Sequence, residues 1–160
     1  MRLSATLPWL ALLPSIGSAF KFTKPDPNKK LDLSAEVITI AWTTETNDAA
    51  AYDRIDIWWN GPPGFGYELV KNFPLAAGTG EFGWNPKGVR QSLELSNMTL
   101  PSAKEYEFKA QLHLGNSTRG AGILSDKYAV EGYSRISAGH RLLQGSAGWL
   151  LVLGACMLSL

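Results

Sequence analysis

The sequence is poor in the residue types that build disulfides and metal sites. It contains one cysteine, Cys156, and two histidines, His113 and His140, among 160 residues. A single cysteine cannot close an internal disulfide, so the stability of the fold must come from a packed core. Zinc and copper sites take their ligands from clusters of cysteine, histidine and carboxylate side chains. The composition therefore predicts no zinc or copper site, and no motif predicts another cofactor.

The chain also lacks an excess of charge of either sign. Its Lys and Arg residues number 15 and its Asp and Glu residues 14, which gives a formal net charge of +1. A basic surface supplies most of the affinity of proteins for nucleic acid. We therefore expect no nucleic acid partner.

The apolar stretch near the amino terminus is too short to span a membrane, which takes about 20 apolar residues. It covers residues 7–16, begins after Arg2 and is followed by small residues at 17–19. A charged start, a short apolar run and small residues are typical of a secretory signal peptide. We predict that residues 1–19 are removed by cleavage before Phe20; a retained membrane anchor is the competing interpretation.

The apolar stretch at the carboxyl end, residues 149–160, carries no charge and is also short. It follows a polar spacer at 140–148 and small residues at 137–139. Small site, spacer and apolar tail form the pattern of a glycosylphosphatidylinositol (GPI) attachment signal, in which the tail is replaced by a lipid. We predict that residues 138–160 are this signal; a buried strand or helix is the competing interpretation.

The spacer length favours Ser137 as the attachment residue, with Ser134 and Ser146 as alternatives. Processing at both ends then leaves 118 residues (160 less 19 and 23), the size of one domain. Its formal charge is −1, because the removed ends carry two arginines and no acidic residue. We assign residues 20–131 to the domain and residues 132–137 to a short stalk.

Two Asn-X-Ser/Thr sequons fit an exported surface. They begin at Asn97 and Asn116, and both lie where turns are expected. We predict N-glycosylation at both asparagines.

Short segments that alternate apolar and polar residues predict an all-β domain. Gly, Pro, Asn and Asp separate these segments, and no run has convincing helical periodicity. Seven strands are expected in an immunoglobulin- or fibronectin type III-like two-sheet sandwich. They cover residues 37–42, 54–60, 67–71, 78–84, 89–95, 106–114 and 123–130.

The alternation also predicts which side chains face the core. Trp59 is expected inward and Trp58 outward, while His113 is expected to face outward alone. Leu114 and Leu124 are expected inward. Tyr106 follows a Leu-Pro turn and opens the strongest late strand, so it is either a tyrosine corner or a core aromatic.

Exposed aromatic rings offer flat apolar area on which a sugar ring or a partner side chain can stack. Trp58, Phe65 and Tyr67 are the candidates for such ligand stacking; the alternative is that Trp58 is covered by a loop.

Catalytic chemistry finds less support in the sequence. Glycosidases need two facing carboxylates. The sequence offers Asp53, Asp56, Glu68 and Glu81 without placing any pair across a cleft, and a lone His113 is no base for a triad. We therefore expect no catalytic residues and no enzyme.

The order of features resembles the amino-terminal domain of a fungal cell-wall synthesis family linked to β-1,6-glucan and found in Ser/Thr-rich GPI-anchored proteins. The matching elements are residues 20–25 (FKFTKP), Leu31, residues 37–42 (VITIAW), residues 55–57 (IDI), residues 83–86 (GWNP) and the segment from Leu100-Pro101 to Tyr106-Glu107-Phe108. The resemblance implies a structural, extracellular β-sandwich involved in wall assembly. Members often carry a long Ser/Thr-rich stretch before the anchor. Here residues 131–136 alone precede Ser137, which implies a domain held close to the membrane.

Two functions follow as expectations. The first is a non-enzymatic surface module, on the outer face of the plasma membrane or in the cell wall, with a structural or recognition role in cell-wall biogenesis and wall polysaccharide such as β-glucan as its partner. The second is an adhesion or receptor-like module that binds a wall or surface protein. A small carbohydrate-active enzyme is a weaker third.

Overall fold

The computed structural model of the protein describes residues 20–62, 64–117 and 119–137. The predicted signal peptide and GPI-attachment signal lie outside the described residues. The elements in chain order are β1 (Lys21–Lys24), β2 (Leu31–Asp32), β3 (Ile38–Thr44), α1 (Thr46–Ala51), β4 (Arg54–Gly61), β5 (Phe65–Pro74), β6 (Gly78–Trp84), α2 (Lys87–Leu95), β7 (Leu100–Pro101), β8 (Tyr106–His113), β9 (Gly120–Tyr128), β10 (Val130–Glu131) and β11 (Ile136–Ser137).

Two antiparallel sheets form the body of the domain. One has the strand order β1-β3-β6 and the other the order β5-β4-β8-β9. Two short parallel pairs, β2 with β10 and β7 with β11, add to this frame. The predicted all-β, two-sheet sandwich of immunoglobulin or fibronectin type III kind is confirmed.

Aromatic rings fill the space between the sheets. Trp59 of β4 is fully buried, and its ring lies 5.4 Å from that of Trp84 in the facing sheet and 5.5 Å from that of Tyr106 on β8. Phe108 continues the cluster, with its ring 6.0 Å from Trp84. Such ring pairs contribute beyond their buried area. A cysteine-free core of this kind is consistent with stability from packing alone.

The inward assignments of Leu114 and Leu124 are wrong. β8 ends at His113, so Leu114 lies in the following turn and is exposed. Opposite Phe108, the pairing of β8 with β9 shifts register, and the Ser125 hydroxyl accepts the Phe108 N–H at 2.8 Å. Beyond this bulge the alternation is reversed, so Ile123 packs on the core while Leu124 is 56% exposed.

The expected strand over residues 89–95 is wrong as well, because these residues belong to helix α2. Val89 and Leu93 are four residues apart and share one helical face, which buries Leu93. In a strand, Leu95 would lie on the same face as Val89 and Leu93, yet its side chain is 87% exposed. The Asn85 side chain accepts the N–H of Lys87 at 2.9 Å and so ties down the first turn.

The segment assigned to a stalk folds onto the domain instead. Tyr133 is buried, and its hydroxyl donates to the carbonyl of Met98 at 2.7 Å. Gly132 adopts a φ of 73°, a conformation that favours glycine, and packs tightly against Asp32. β11 then pairs with β7, and the carbonyl of Ser137 accepts the N–H of Ser102 at 3.1 Å. Residues 132–137 therefore pack on the domain and pair with β7.

Three buried tyrosines donate their hydroxyls to backbone carbonyls. Tyr106 donates to Pro101 at 2.9 Å, which is the backward bond of a tyrosine corner. Tyr128 donates to Pro25 at 3.2 Å. Burial raises the pKa of the Tyr106 hydroxyl well above its usual range, and the charge of Glu105 adds to this. Burial also raises the pKa of Tyr128 and that of Tyr133.

These pKa shifts predict a loss of stability at alkaline pH. Unfolded tyrosines ionise near pH 10, roughly, whereas the three folded tyrosines ionise at higher pH. Their contribution is complete below about pH 10 and falls as the pH rises toward the folded-state pKa values, because the unfolded state loses protons first. As the pH is raised, the loss of the far-ultraviolet circular dichroism signal and the rise in absorbance from the ionised tyrosines should therefore occur over the same pH range. Titration of these tyrosines in a folded domain near pH 10, roughly their ordinary pKa, would contradict the prediction.

Candidate binding groove

A groove of about 500 Å³ lies on the outer face of the four-stranded sheet, away from the sandwich core. Side chains two residues apart on a strand share a face, which brings Asp56 and Trp58 into it from β4. Three strands and one turn supply the lining. The full set is Asp56 and Trp58 of β4; Glu68, Lys71 and Asn72 of β5; Gln111 and His113 of β8; and Asn116 and Ser117 of the β8–β9 turn.

Trp58 is the aromatic side chain of the groove. It is partly exposed and lies directly between Glu68 on β5 and Lys109 on β8. The ammonium of Lys109 is 5.7 Å from the centroid of the Trp58 ring, within cation–π range. The neighbouring strands thus hold the indole in place while leaving part of it open to solvent.

The other two candidate stacking residues do not join this surface. Tyr67 lies opposite Trp59 in the β4–β5 pairing, and Phe65 opposite Gly61, so both belong to the core side of the sheet. Their ring centroids are 6.3 Å and 5.1 Å from that of Trp59. Of the three candidates, Trp58 lines the groove, whereas Phe65 and Tyr67 lie outside it and stay partly exposed.

His113 faces outward as expected, but it is neither solvated nor alone. Its side chain is 2% exposed, and its Nε2 lies 3.1 Å from Oδ1 of Asp56. The same oxygen accepts the backbone N–H of Asn72 at 2.6 Å. Asn72 has a φ of 53° and lies at a bulge of β5, so the carboxylate stabilises an unusual backbone conformation. The pair forms the buried base of the groove.

The four candidate carboxylates are only partly brought together. Asp56 and Glu68 line the groove, Asp53 binds the N–H of Gly115 at 2.7 Å, and Glu81 lies on the other sheet. The Asp56 oxygen that binds His113 and Asn72 already accepts two hydrogen bonds, whereas Glu68 is exposed. Among the described residues no three His, Cys, Asp or Glu side chains are grouped to hold a metal ion.

The two sequons lie in different surroundings. Asn116 is exposed and lines the groove, and the last residue of its sequon, Thr118, lies outside the described residues. Asn97 follows α2 in an exposed turn with a φ of 52° and is not part of the groove. Ser137, the candidate lipid attachment residue, is exposed at the end of β11.

No protein-family model matches this chain, and comparison with curated proteins gives no significant match. Within the part of the chain that the structure describes, no helix is long and apolar enough to cross a membrane.

Most of the groove could not be predicted from the sequence. Gln111 and Lys71 are ordinary polar strand residues, and only the register between β4, β5 and β8 places them beside Trp58. The Asp56–His113 pair is 57 positions apart in the chain. The sequence feature that indicates this pair is that Asp56 and His113 each interrupt an apolar strand at an outward position.

Proposed function

We propose that this protein is an exported, GPI-anchored, non-enzymatic module of the fungal cell surface that recognises wall polysaccharide, with β-glucan as its ligand. Trp58 in the groove is the observation that carries the proposal. Pyranose rings present apolar C–H faces bordered by hydroxyls, so they suit an aromatic side chain surrounded by hydrogen-bonding groups. Gln111 and Glu68 supply such groups beside the indole.

The charges of the groove favour a neutral ligand. Its ionisable side chains include the acidic Asp56 and Glu68 and the basic Lys71, so no single sign dominates. Anionic ligands are usually held by clusters of Arg and Lys. A polyhydroxylated, uncharged saccharide needs donors and acceptors of both kinds, and carboxylate, ammonium and amide groups together provide them.

Cleavage before Phe20 would keep the core intact, because Phe20 is buried and its ring stacks 6.1 Å from that of Trp42.

The position of the groove suits a lipid-anchored module. Ser137 lies near the start of β8, where Tyr106 binds Pro101. The His113 end of β8 is about 20 Å away at roughly 3.3 Å per residue. An anchor at Ser137 would therefore attach near the end of β8 opposite to His113.

Substitution of Trp58 by alanine should weaken β-glucan binding at least about tenfold, which corresponds to about 1.4 kcal/mol. The reason is the loss of the stacking surface, with the polar lining retained. The measurement is sedimentation with insoluble β-glucan, using residues 20–137 produced in bacteria, which add no N-glycan. Chitin serves as the competing polysaccharide.

Leu124→Ala is the matched control, because Leu124 is exposed on the outer face of the same sheet and does not line the groove. Equal retention of Trp58→Ala and the parent domain on β-glucan would rule out the groove as the binding site. Binding of both to a surface protein and to no polysaccharide would favour the adhesion function. The enzymatic alternative predicts that the parent domain releases reducing sugar from β-glucan and that Glu68→Gln does not.

A further inference from the structure

The Asn116 sequon and Trp58 share one groove. Asn116 and Ser117 form part of the groove wall at the β8–β9 turn, and Trp58 lines the same cavity from β4. The other sequon, at Asn97, lies outside the cavity. The two sequons therefore differ in what a glycan attached to them would meet.

Hydrogen bonds on both sides hold Asn116 at the rim. The N–H of Gly115 donates to Oδ1 of Asp53 at 2.7 Å, and the N–H of Ser117 donates to the carbonyl of Leu114 at 3.0 Å. A glycan on the Asn116 side-chain amide therefore starts from a defined point beside the cavity. Since Asn116 itself is exposed, its side chain is accessible to the glycosylation machinery.

The groove offers the first sugars of such a glycan the same features that suit a free saccharide. These sugars are N-acetylglucosamine units, whose C–H faces can pack on an indole and whose hydroxyl and amide groups can bond to Gln111 and Lys71. A tethered ligand acts at an effective concentration on the order of 1 mM. A dissociation constant of about 0.1 mM for the glycan would then weaken binding of an external saccharide about tenfold.

We infer that the N-glycan of Asn116 occupies the groove, covers Trp58 and competes with external polysaccharide. Glycosylation of Asn116 thereby sets whether the groove is open to the wall. The competition rests on the proposed function, whereas the contact between the glycan and Trp58 does not.

The test uses the full-length chain expressed in a glycosylating yeast and recovered in detergent. Thr118→Ala removes the groove sequon while keeping the Asn116 side chain, and Thr99→Ala removes the Asn97 sequon as the matched control. Oxidation of Trp58 by N-bromosuccinimide is followed by peptide mass spectrometry, which also reports glycan occupancy. Trp42, Trp59 and Trp84 are buried and serve as internal references.

Thr118→Ala should raise the rate of Trp58 oxidation about tenfold, the factor estimated above for the tethered glycan, and Thr99→Ala should leave it unchanged. Enzymatic removal of the whole glycan from the folded parent protein, by an amidase that leaves aspartate at position 116, should produce the same increase with Thr118 retained. Affinity for a soluble β-1,3-linked gluco-oligosaccharide should rise by a similar factor.

Two results would overturn the inference: Asn116 without glycan in the parent protein, or equal Trp58 oxidation with and without it. Equal oligosaccharide affinity in both glycoforms would also overturn the competition, while leaving the proposed function intact. Faster oxidation of Trp58 in Thr118→Ala, without binding of the oligosaccharide to either glycoform, would support the contact between the glycan and Trp58 and count against the proposed function.

Discussion

Trp59→Ala is expected to prevent the domain from folding. Trp59 is fully buried and contacts rings from both sheets. Truncation of a buried aromatic costs about 3–5 kcal/mol, which is most of the stability of a domain at the lower end of the usual range of about 5–15 kcal/mol. We expect little soluble protein from residues 20–137 and no cooperative urea transition.

Trp58→Ala is the matched control for this prediction, since Trp58 precedes Trp59 in the chain and faces the opposite side of the sheet. Its removal should lower the free energy of unfolding by about 1 kcal/mol or less, because it leaves the core untouched. Comparable loss of stability in the two variants would contradict the assignment of Trp59 to the core and Trp58 to the groove. The pair thus tests the register of β4 directly.

Ending the chain after Glu131 should destabilise the domain by about 4 kcal/mol. This truncation removes buried Tyr133, worth roughly 1.5–3 kcal/mol of burial, and the β7–β11 hydrogen bonds, worth about 1 kcal/mol each. The measurement is the urea midpoint of residues 20–131 compared with residues 20–137.

Tyr133→Phe separates the two contributions. It keeps the ring and loses the hydrogen bond to Met98, so it should cost about 1 kcal/mol. A truncated domain as stable as the longer one would show that residues 132–137 are a free stalk after all.

Strands with clean alternation could be predicted from sequence because their neighbours respect the same period. In β4, Ile55, Ile57 and Trp59 are all buried, and in β8 so are Tyr106 and Phe108. Successive residues of these strands point alternately to the buried and the outer face of the sheet, so the local sequence pattern is sufficient to assign them.

Residues beside bulges and in short helices could not be assigned in this way. Leu124 fits the apolar pattern of its strand, but the irregular pairing opposite Phe108 turns it outward. α2 carries apolar residues at 89, 93 and 95, a spacing that fits a strand until Leu95 proves exposed. Strand pairing decides the facing of Leu124, and packing of Leu93 in the core accompanies the helical conformation of α2.

The candidate site was predictable to the extent that it depends on alternation. The outward position of Trp58 follows from the pattern of β4 alone. The grouping of Glu68, Gln111 and Asn116 around it depends on which strands pair and in which register, and those contacts are remote in sequence. The buried Asp56–His113 pair depends on the same register.

Nuclear magnetic resonance of isotope-labelled residues 20–137 during titration with a β-gluco-oligosaccharide tests the central claim most directly. We predict saturable shifts of the Trp58 indole and of the Gln111 side-chain amide, with the buried Trp59 indole unaffected. Shifts confined to the outer face of the β1-β3-β6 sheet, or no shifts at saturating oligosaccharide, would contradict the assignment of the groove as a saccharide-binding site.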